Sequence, residues 1–256
     1  MIPTPYDDVN NILEDVQRSL ADTLSGNLTG IYVYGSLIMG DFDIRVSDID
    51  LLVVTRAHLE QAVVHGLRDL HAALVATYPS WNDRIECAYV PEAALKTFKR
   101  QTSVIYVISP GEPLHAKRAG KDWLMNWYIV REYAWTLLGP DPRTIIEPVS
   151  LQEYRDCVRT YLRLFPARLA ENHRRGFQAY AIITACRGVY TVMAGEVASK
   201  QRGAEWAMAT FPEWQSFIAS ALRWRQDRPR NHDDDEVSYP QTQRFIEFML
   251  KQLAER

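Results

Sequence analysis

A glycine-serine pair and three carboxylates in the first third of the chain carry the chemistry that the residues themselves suggest. Ile31 to Val54 reads IYVYGSLIMGDFDIRVSDIDLLVV. The Ile-Tyr-Val-Tyr run predicts a short strand that delivers Gly35-Ser36 at its end. Eleven residues after Ser36, Ser47-Asp48-Ile49-Asp50 opens a second apolar strand. Residues two apart on a strand share a face, so Asp48 and Asp50 present two carboxylates side by side. Like charges held together are costly unless a cation neutralises them. Magnesium suits that role, because it takes carboxylate oxygens together with substrate phosphates and keeps some waters. Gly35 lets the backbone approach a phosphate closely, and the Ser36 hydroxyl with nearby amides can bind phosphate oxygens. A third carboxylate, Glu86, interrupts the apolar run IECAYV. If its strand neighbours the Asp48–Asp50 strand, Glu86 completes the metal site or acts as general base for an incoming hydroxyl. Such a set suits attack on a nucleotide α-phosphate, with metal neutralising the developing charge and orienting a pyrophosphate leaving group. Taken singly, each part has a plainer reading: a stray Asp-x-Asp, a Gly-Ser turn, an edge glutamate facing solvent. Their order along the chain is what points to a site.

The elements that must position these groups follow from periodicity. Tyr6 to Leu24 places Val9, Ile12, Leu13, Val16 and Leu20 at near-helical spacing, and Gly26-Asn27 breaks the run. Residues 37 to 47 are too irregular for a strand. Asp48 to Thr55 has the continuous apolar second half expected when both faces of a strand are covered. His58 to Tyr78 predicts a helix closed by Pro79, Ile85 to Val90 a third strand stopped by Pro91, and Val104 to Ser109 a fourth. Asp122 to Leu138 reads as helix up to Gly139-Pro140. From Ser150 onward every periodic segment is helical. Ser150 and Glu153 have capping-box spacing. Ala179 to Met193 stops at Gly195, Ser199 caps a helix through Ala209, Pro212 begins the next, and Thr242 to Leu253 closes the chain. Asp227 to Ser238, which contains HDDDE, reads as a solvated loop. The expected organisation is an α/β domain of mixed sheet and helices over residues 1–147 and an all-α helical bundle over 148–256.

Composition narrows the function classes. A hydrophobic share of 47% and a charged share of 24% are ordinary for a globular protein and exclude disorder as the main theme. Twenty-nine basic against thirty-two acidic residues give a net charge of −3, so no basic field argues for nucleic acid. Cys87, Cys157 and Cys186 are far apart with no CxxC pair, which argues against a disulfide framework or structural zinc and for a reducing cytoplasm. The first residues lack the basic and apolar regions of a signal peptide, and nowhere do eighteen apolar residues run together. A cytoplasmic, monomeric protein with no membrane partner is expected.

The Ile31 to Val54 stretch resembles the signature of the nucleotidyltransferase superfamily, and specifically of the aminoglycoside (3″)(9) adenylyltransferases, which modify streptomycin and spectinomycin. A second block in the helical half, ITACRGVYTVMAGEVASKQRGAEWAMATFP from Ile183 to Pro212, resembles the same family. The resemblance covers most of the chain. It implies an N-terminal nucleotidyltransferase domain, a C-terminal helical bundle, and ATP and acceptor held between them. Carried over by position, it makes Ser36, Ser47, Asp48 and Asp50 the nucleotide and magnesium site and Glu86 the catalytic base. It makes Asp122 an ATP-contacting acid and Lys200 a phosphate ligand. Arg187 falls on a basic family position, and Trp224 on an aromatic near the adenine. From position alone, Lys200 at a helix start after a glycine break reads as a phosphate contact or as a solvated lysine, and Arg187 as buried or interdomain. The remaining tryptophans read as core.

The departures bear on the acceptor. Streptomycin-modifying members carry a tryptophan and two aspartates just ahead of the arginine-bearing helix, whereas Arg168 to Phe177 here is RLAENHRRGF, with no aspartate and an Arg174-Arg175 pair. A basic pair repels a polycation, unless Glu171 or the run Asp233 to Glu236 compensates. Spectinomycin, smaller and without guanidinium groups, is therefore the expected better acceptor. An endogenous metabolite or protein hydroxyl is the alternative acceptor. A non-catalytic nucleotide-binding or antitoxin-like partner is the alternative of another class, and the intact Asp48, Asp50 and Glu86 argue against it.

Overall fold

The computed structural model describes residues 4–227 and 231–254. The chain divides into two compact units, Met1–Val149 and Ser150–Arg256. In the first, six strands form one mixed sheet in the order β5-β4-β3-β2-β1-β6. They are β1 Leu28–Tyr34, β2 Ile49–Thr55, β3 Ile85–Pro91, β4 Ser103–Ser109, β5 Glu112–Ala119 and β6 Trp135–Leu138. Only β2 and β3 run parallel; the other neighbours are antiparallel.

Alternation of side chains gives the sheet two different faces. Ile31, Val33, Ile49, Leu51, Val53, Cys87 and Tyr89 point to one face. There they meet the apolar stripes of α1 (Asp7–Leu24) and α2 (Gln61–Thr77), which bury Val9, Ile12, Leu13, Val16, Leu20, Val64, Leu67 and Leu74. The opposite face carries Tyr32, Leu52, Val54, Ala88 and Val90, all buried. α3 (Glu92–Thr97) contacts β3, and α4 (Leu124–Tyr133) contacts β1. A short helix, α5 (Pro142–Ile145), follows β6. Cys87 and Cys186 are buried free thiols, and burial pushes Cys87 up to about 12, so it stays protonated.

Two strands differ from the sequence expectation, and the short helices α3 and α5 were not part of it. The helix expected over 122–138 ends at Tyr133; Ala134 is extended and Trp135–Leu138 becomes β6 on the free edge of β1. Trp-Thr-Leu-Leu satisfies either period, and pairing with an open strand edge decides it. β5 was not anticipated, because Glu112, His115, Lys117 and Arg118 break any apolar pattern. Charged side chains of this kind suit an edge strand, where they discourage further pairing.

The second unit is built around α8 (Arg175–Ala194), whose buried residues lie on every side of the helix. α6 (Leu151–Leu162), α9 (Lys200–Thr210), α10 (Gln215–Gln226) and α11 (Tyr239–Ala254) pack against it, and α7 (Phe165–Glu171) leads into it. The caps match the sequence signals. Ser150 and Glu153 form a reciprocal capping box, Gly195 takes the left-handed C-cap, and Ser199 accepts from the Arg202 amide. Among the described residues no helix is long and apolar enough to cross a membrane.

Candidate active site

β1, β2 and β3 place three side chains in one row. Tyr34 pairs with Asp50 across the antiparallel β1–β2 ladder, and Asp50 pairs with Glu86 across the parallel β2–β3 ladder. Directly paired residues project from the same face, so Tyr34, Asp50 and Glu86 share the face opposite α1 and α2. Asp50 and Glu86 are half-buried and Tyr34 is buried. The Tyr34 phenol is held well above its ordinary value, first by burial, then by the charges of Glu86 and Asp50, which puts its ring inside the field of both carboxylates.

Directly after Tyr34 the chain turns through a 3-10 segment, Gly35–Leu37, that packs on β2. Gly35 has φ +74°, and a Cβ built on it would lie 1.8 Å from Asp50 Oδ2. The absence of a side chain is thus what lets the Asp50 carboxylate lie against the turn. Ser36 is half-buried within this turn. The amides of Met39 and Asp41 bond back to the Gly35 and Ser36 carbonyls at 3.2 Å each, curling the loop.

The loop then delivers Asp48, half-buried and two residues ahead of Asp50. Ser47 is only 2% exposed, and its hydroxyl accepts the Asp43 amide at 3.0 Å, so here it shapes the loop. Arg84, a residue that sequence reasoning passed over, is buried beneath the same loop. It donates from Nε to the Ser47 carbonyl at 3.1 Å and from Nη2 to the Ile44 carbonyl at 2.7 Å. These two partners are backbone carbonyls, which leave no residue pattern to read. Tyr34 was missed for a different reason: a tyrosine in an apolar strand reads as core.

Among the described residues no three His, Cys, Asp or Glu side chains converge closely enough to hold a metal unaided. Asp48 and Asp50 flank one residue at the start of β2, beside a glycine cradle that a Cβ would fill. A donor set of few carboxylates fits an ion that draws the rest of its shell from phosphate oxygens and water.

Asp122 lies in the same unit, exposed, in a 3-10 turn over Lys121–Trp123 rather than at the head of a helix running to Gly139. Its Oδ1 accepts the Gly120 amide at 2.8 Å. In the second unit, Lys200 is the first residue of α9 and half-buried, with Nζ 6.0 Å from the Tyr180 ring centroid. Arg187 is half-buried on α8. A Cβ on Gly203 would lie 2.5 Å from the Arg187 Cα, so α8 and α9 cross closely at that point. Burial raises the Tyr180 phenol while Arg187 and Arg168 oppose it, which places these cations near one aromatic group. Trp224 is half-buried on α10, edge-on to Phe217 at 5.9 Å. Of the other tryptophans only Trp81 and Trp127 are fully buried; Trp123, Trp135, Trp206 and Trp214 are half-buried.

The charge pattern ahead of α8 needs correcting. Arg174-Arg175 is not an isolated basic patch, and Asp233 to Glu236 is not simply solvated. Arg175 Nε lies 2.9 Å from Asp235 Oδ2, and His173 Nδ1 lies 2.6 Å from Glu236 Oε1. The main chains of Arg174 and Asp234 pair as an isolated antiparallel β-bridge, and His173 stacks on Tyr239 at 3.9 Å. Asp235 is 8% exposed. Burial would raise its carboxyl, but bonds from Ser238 and Arg175 bring it below the usual range. Buried Gln178 locks the loop down, donating to the His173 and Asp235 carbonyls and accepting from Ser238 and Thr242. Sixty residues of sequence separate these charges, so their pairing had no local signal.

Comparison with known proteins agrees with this architecture. Residues 12–112 match the family described as "Nucleotidyltransferase domain", and residues 144–252 match "Aminoglycoside adenylyltransferase, C-terminal domain". The chain is similar to a spectinomycin 9-adenylyltransferase of Campylobacter jejuni, 23% identical across 96% of this chain and 97% of that one. It is similar to an aminoglycoside (3″)(9) adenylyltransferase of Escherichia coli, also 23% identical, across 96% and 95%. Its fold matches the crystal structure of spectinomycin adenyltransferase AAD(9) from Enterococcus faecialis with ATP and spectinomycin. The TM-score is 0.73 at 16% identity, covering 96% of this chain and 99% of that one. With both domains matched in order along its length, the chain belongs to the aminoglycoside adenylyltransferase family of the nucleotidyltransferase superfamily.

Proposed function

We propose that the protein transfers AMP from ATP to a hydroxyl of an aminocyclitol antibiotic in the cytoplasm, with spectinomycin favoured over streptomycin, and releases pyrophosphate. The observation that carries this reading is the register row that sets Asp50 beside Glu86 against the Gly35 turn. Relatives named for spectinomycin and aminoglycoside adenylylation, and a similar fold solved with ATP and spectinomycin, support it.

In this reading Gly35 and Ser36 bind phosphate oxygens of ATP, and Asp48 and Asp50 hold magnesium. The metal, when bound, supplies charge neutralisation at the phosphates. Glu86 accepts the proton of the acceptor hydroxyl as its oxygen bonds to the α-phosphorus. The bond from that phosphorus to the bridging oxygen breaks, and pyrophosphate leaves with its electron pair. Ser47 shapes the loop that presents Asp48. Lys200 contacts the phosphates, Arg187 and Asp122 contact ATP, and Trp224 lies near the adenine.

The acceptor preference now rests on a narrower base. With Arg175 matched by Asp235, half of the basic pair no longer weighs against a polycationic drug. What still disfavours streptomycin is the lack of any aspartate in 168–177 to hold guanidinium groups. Growth of a sensitive bacterium expressing the protein, on each drug separately, tests the reading. Protection against spectinomycin is expected. Protection against streptomycin alone contradicts the preference, and protection against neither moves the acceptor to an endogenous hydroxyl.

A further inference from the structure

We infer that Arg84 is a positioning residue for the carboxylates at the start of β2. This rests on the reading of Asp48 and Asp50 as metal ligands. Arg84 is 6% exposed, and a buried guanidinium costs several kcal/mol in desolvation, so an apolar residue would fill the space more cheaply if packing were all that mattered. Its hydrogen bonds show what it does instead. Nε and Nη2 both donate to the Ser47 carbonyl, at 3.1 and 2.5 Å, and Nη2 also donates to the Ile44 carbonyl at 2.7 Å. Nη1 reaches the Ser80 carbonyl at 3.4 Å.

The main chain of the same residue completes the grip. The Arg84 carbonyl accepts the Ile49 amide at 2.8 Å. Asp48 therefore lies between a carbonyl held by the Arg84 side chain and an amide held by the Arg84 backbone. Neither peptide plane flanking Asp48 can rotate without breaking one of these bonds. The guanidinium lies 4.2 Å above the Trp81 ring, and Phe42 stacks on that ring, 6.2 Å away and nearly parallel. Phe42 belongs to the loop that leads to Asp48, so one stacked unit fastens both ends of the segment. Arginine suits this task and lysine does not: the planar fork serves several carbonyls at once, whereas an ammonium on a flexible stem serves fewer and fixes none in plane.

The test uses the full-length protein and Arg84→Lys, with Mn²⁺ as probe in the presence of α,β-methylene-ATP and free Mn²⁺ read by electron paramagnetic resonance. Loss of an outer-shell group is expected to weaken Mn²⁺ binding about tenfold. A purely structural role would lower the melting temperature but leave the Mn²⁺ affinity of the folded protein unchanged, and that result overturns the inference. Asp48→Asn is measured alongside. Wild-type Mn²⁺ affinity in Asp48→Asn would refute the metal reading itself. Weakened affinity there, with none in Arg84→Lys, removes Arg84 alone. Should Arg84→Lys fail to fold, hydrogen exchange on the wild type decides. Without nucleotide, the amides of Val46, Ser47 and Ile49, each bonded to a main-chain carbonyl, should exchange as slowly as those of β2. Exchange as fast as that of the exposed Gly40 overturns the inference.

Discussion

Replacing Gly35 by alanine tests whether the turn and the Asp50 carboxylate form one unit. Two separate costs can be read from the structure. The backbone sits at φ +74°, where an L-residue is disfavoured by roughly 1–2 kcal/mol. The added Cβ would also stand 1.8 Å from Asp50 Oδ2 and 2.7 Å from its Cγ. Restoring ordinary van der Waals contact requires the carboxylate to retreat by roughly 1.5 Å. A displacement of about 1 Å at reacting groups can cost on the order of 10²-fold in rate. Gly195 separates the two costs. It has φ +72° with nothing within 4 Å of its Cβ position, so Gly195→Ala incurs the backbone cost alone. The assay is pyrophosphate release from ATP with spectinomycin, with thermal melting in parallel. Both variants should melt lower by a few degrees, at about 2–4 °C per kcal/mol for a chain of this size. Only Gly35→Ala should lose activity, by about a hundredfold or more. Wild-type turnover in Gly35→Ala, or equal losses in both, would refute the reasoning.

Other outcomes follow from single residues. His71 is buried and hydrogen-bonded to the Tyr89 hydroxyl at 2.7 Å, and burial lowers it to about 4. The unfolded chain therefore takes up a proton that the folded chain refuses as pH falls from about 6.5 to 4. Stability present above 6.5 should drop by about 2 kcal/mol by pH 5. Denaturant titrations of wild type and His71→Gln measure this, and an equal drop in both would exclude His71 as its source. Asp235→Ala leaves Arg175 unmatched and should destabilise the helical unit by about 2 kcal/mol; an unchanged denaturation midpoint would contradict that. Lys200→Ala should weaken ATP binding about tenfold without unfolding the protein, as expected for a charged contact to phosphate. Calorimetry showing unchanged affinity would remove Lys200 from the nucleotide site.

How far these features could be read in advance depended on whether the physics was local. The β1 run, the Gly-Ser turn and the Asp-x-Asp strand were legible because period-two alternation and turn chemistry act within a few residues. Glu86 was legible because an acid inside an apolar strand needs a reason. That Glu86 stands beside Asp50 was not, since a parallel pairing across thirty-odd residues is fixed by the sheet and not by either strand. Trp135–Leu138 was read as helix because an open edge on β1, distant in sequence, decided its conformation. The salt bridge from Arg175 to Asp235 and the Arg84 clamp were hidden in the same way. One partner lies sixty residues away; the others are carbonyl groups that every residue has.

The central claim is that the Asp50–Glu86 row performs adenylyl transfer, and product analysis of Glu86→Gln against wild type tests it most directly. Each protein is incubated with ATP, magnesium and spectinomycin; mass spectrometry follows the drug and calorimetry the nucleotide. Wild type should convert spectinomycin to a species heavier by one adenylyl group, with one pyrophosphate released per drug modified. Glu86→Gln should bind ATP as tightly but form that product roughly 10²–10⁴ times more slowly, the usual share of a general base. Adenylylated spectinomycin at the wild-type rate from Glu86→Gln would contradict the account.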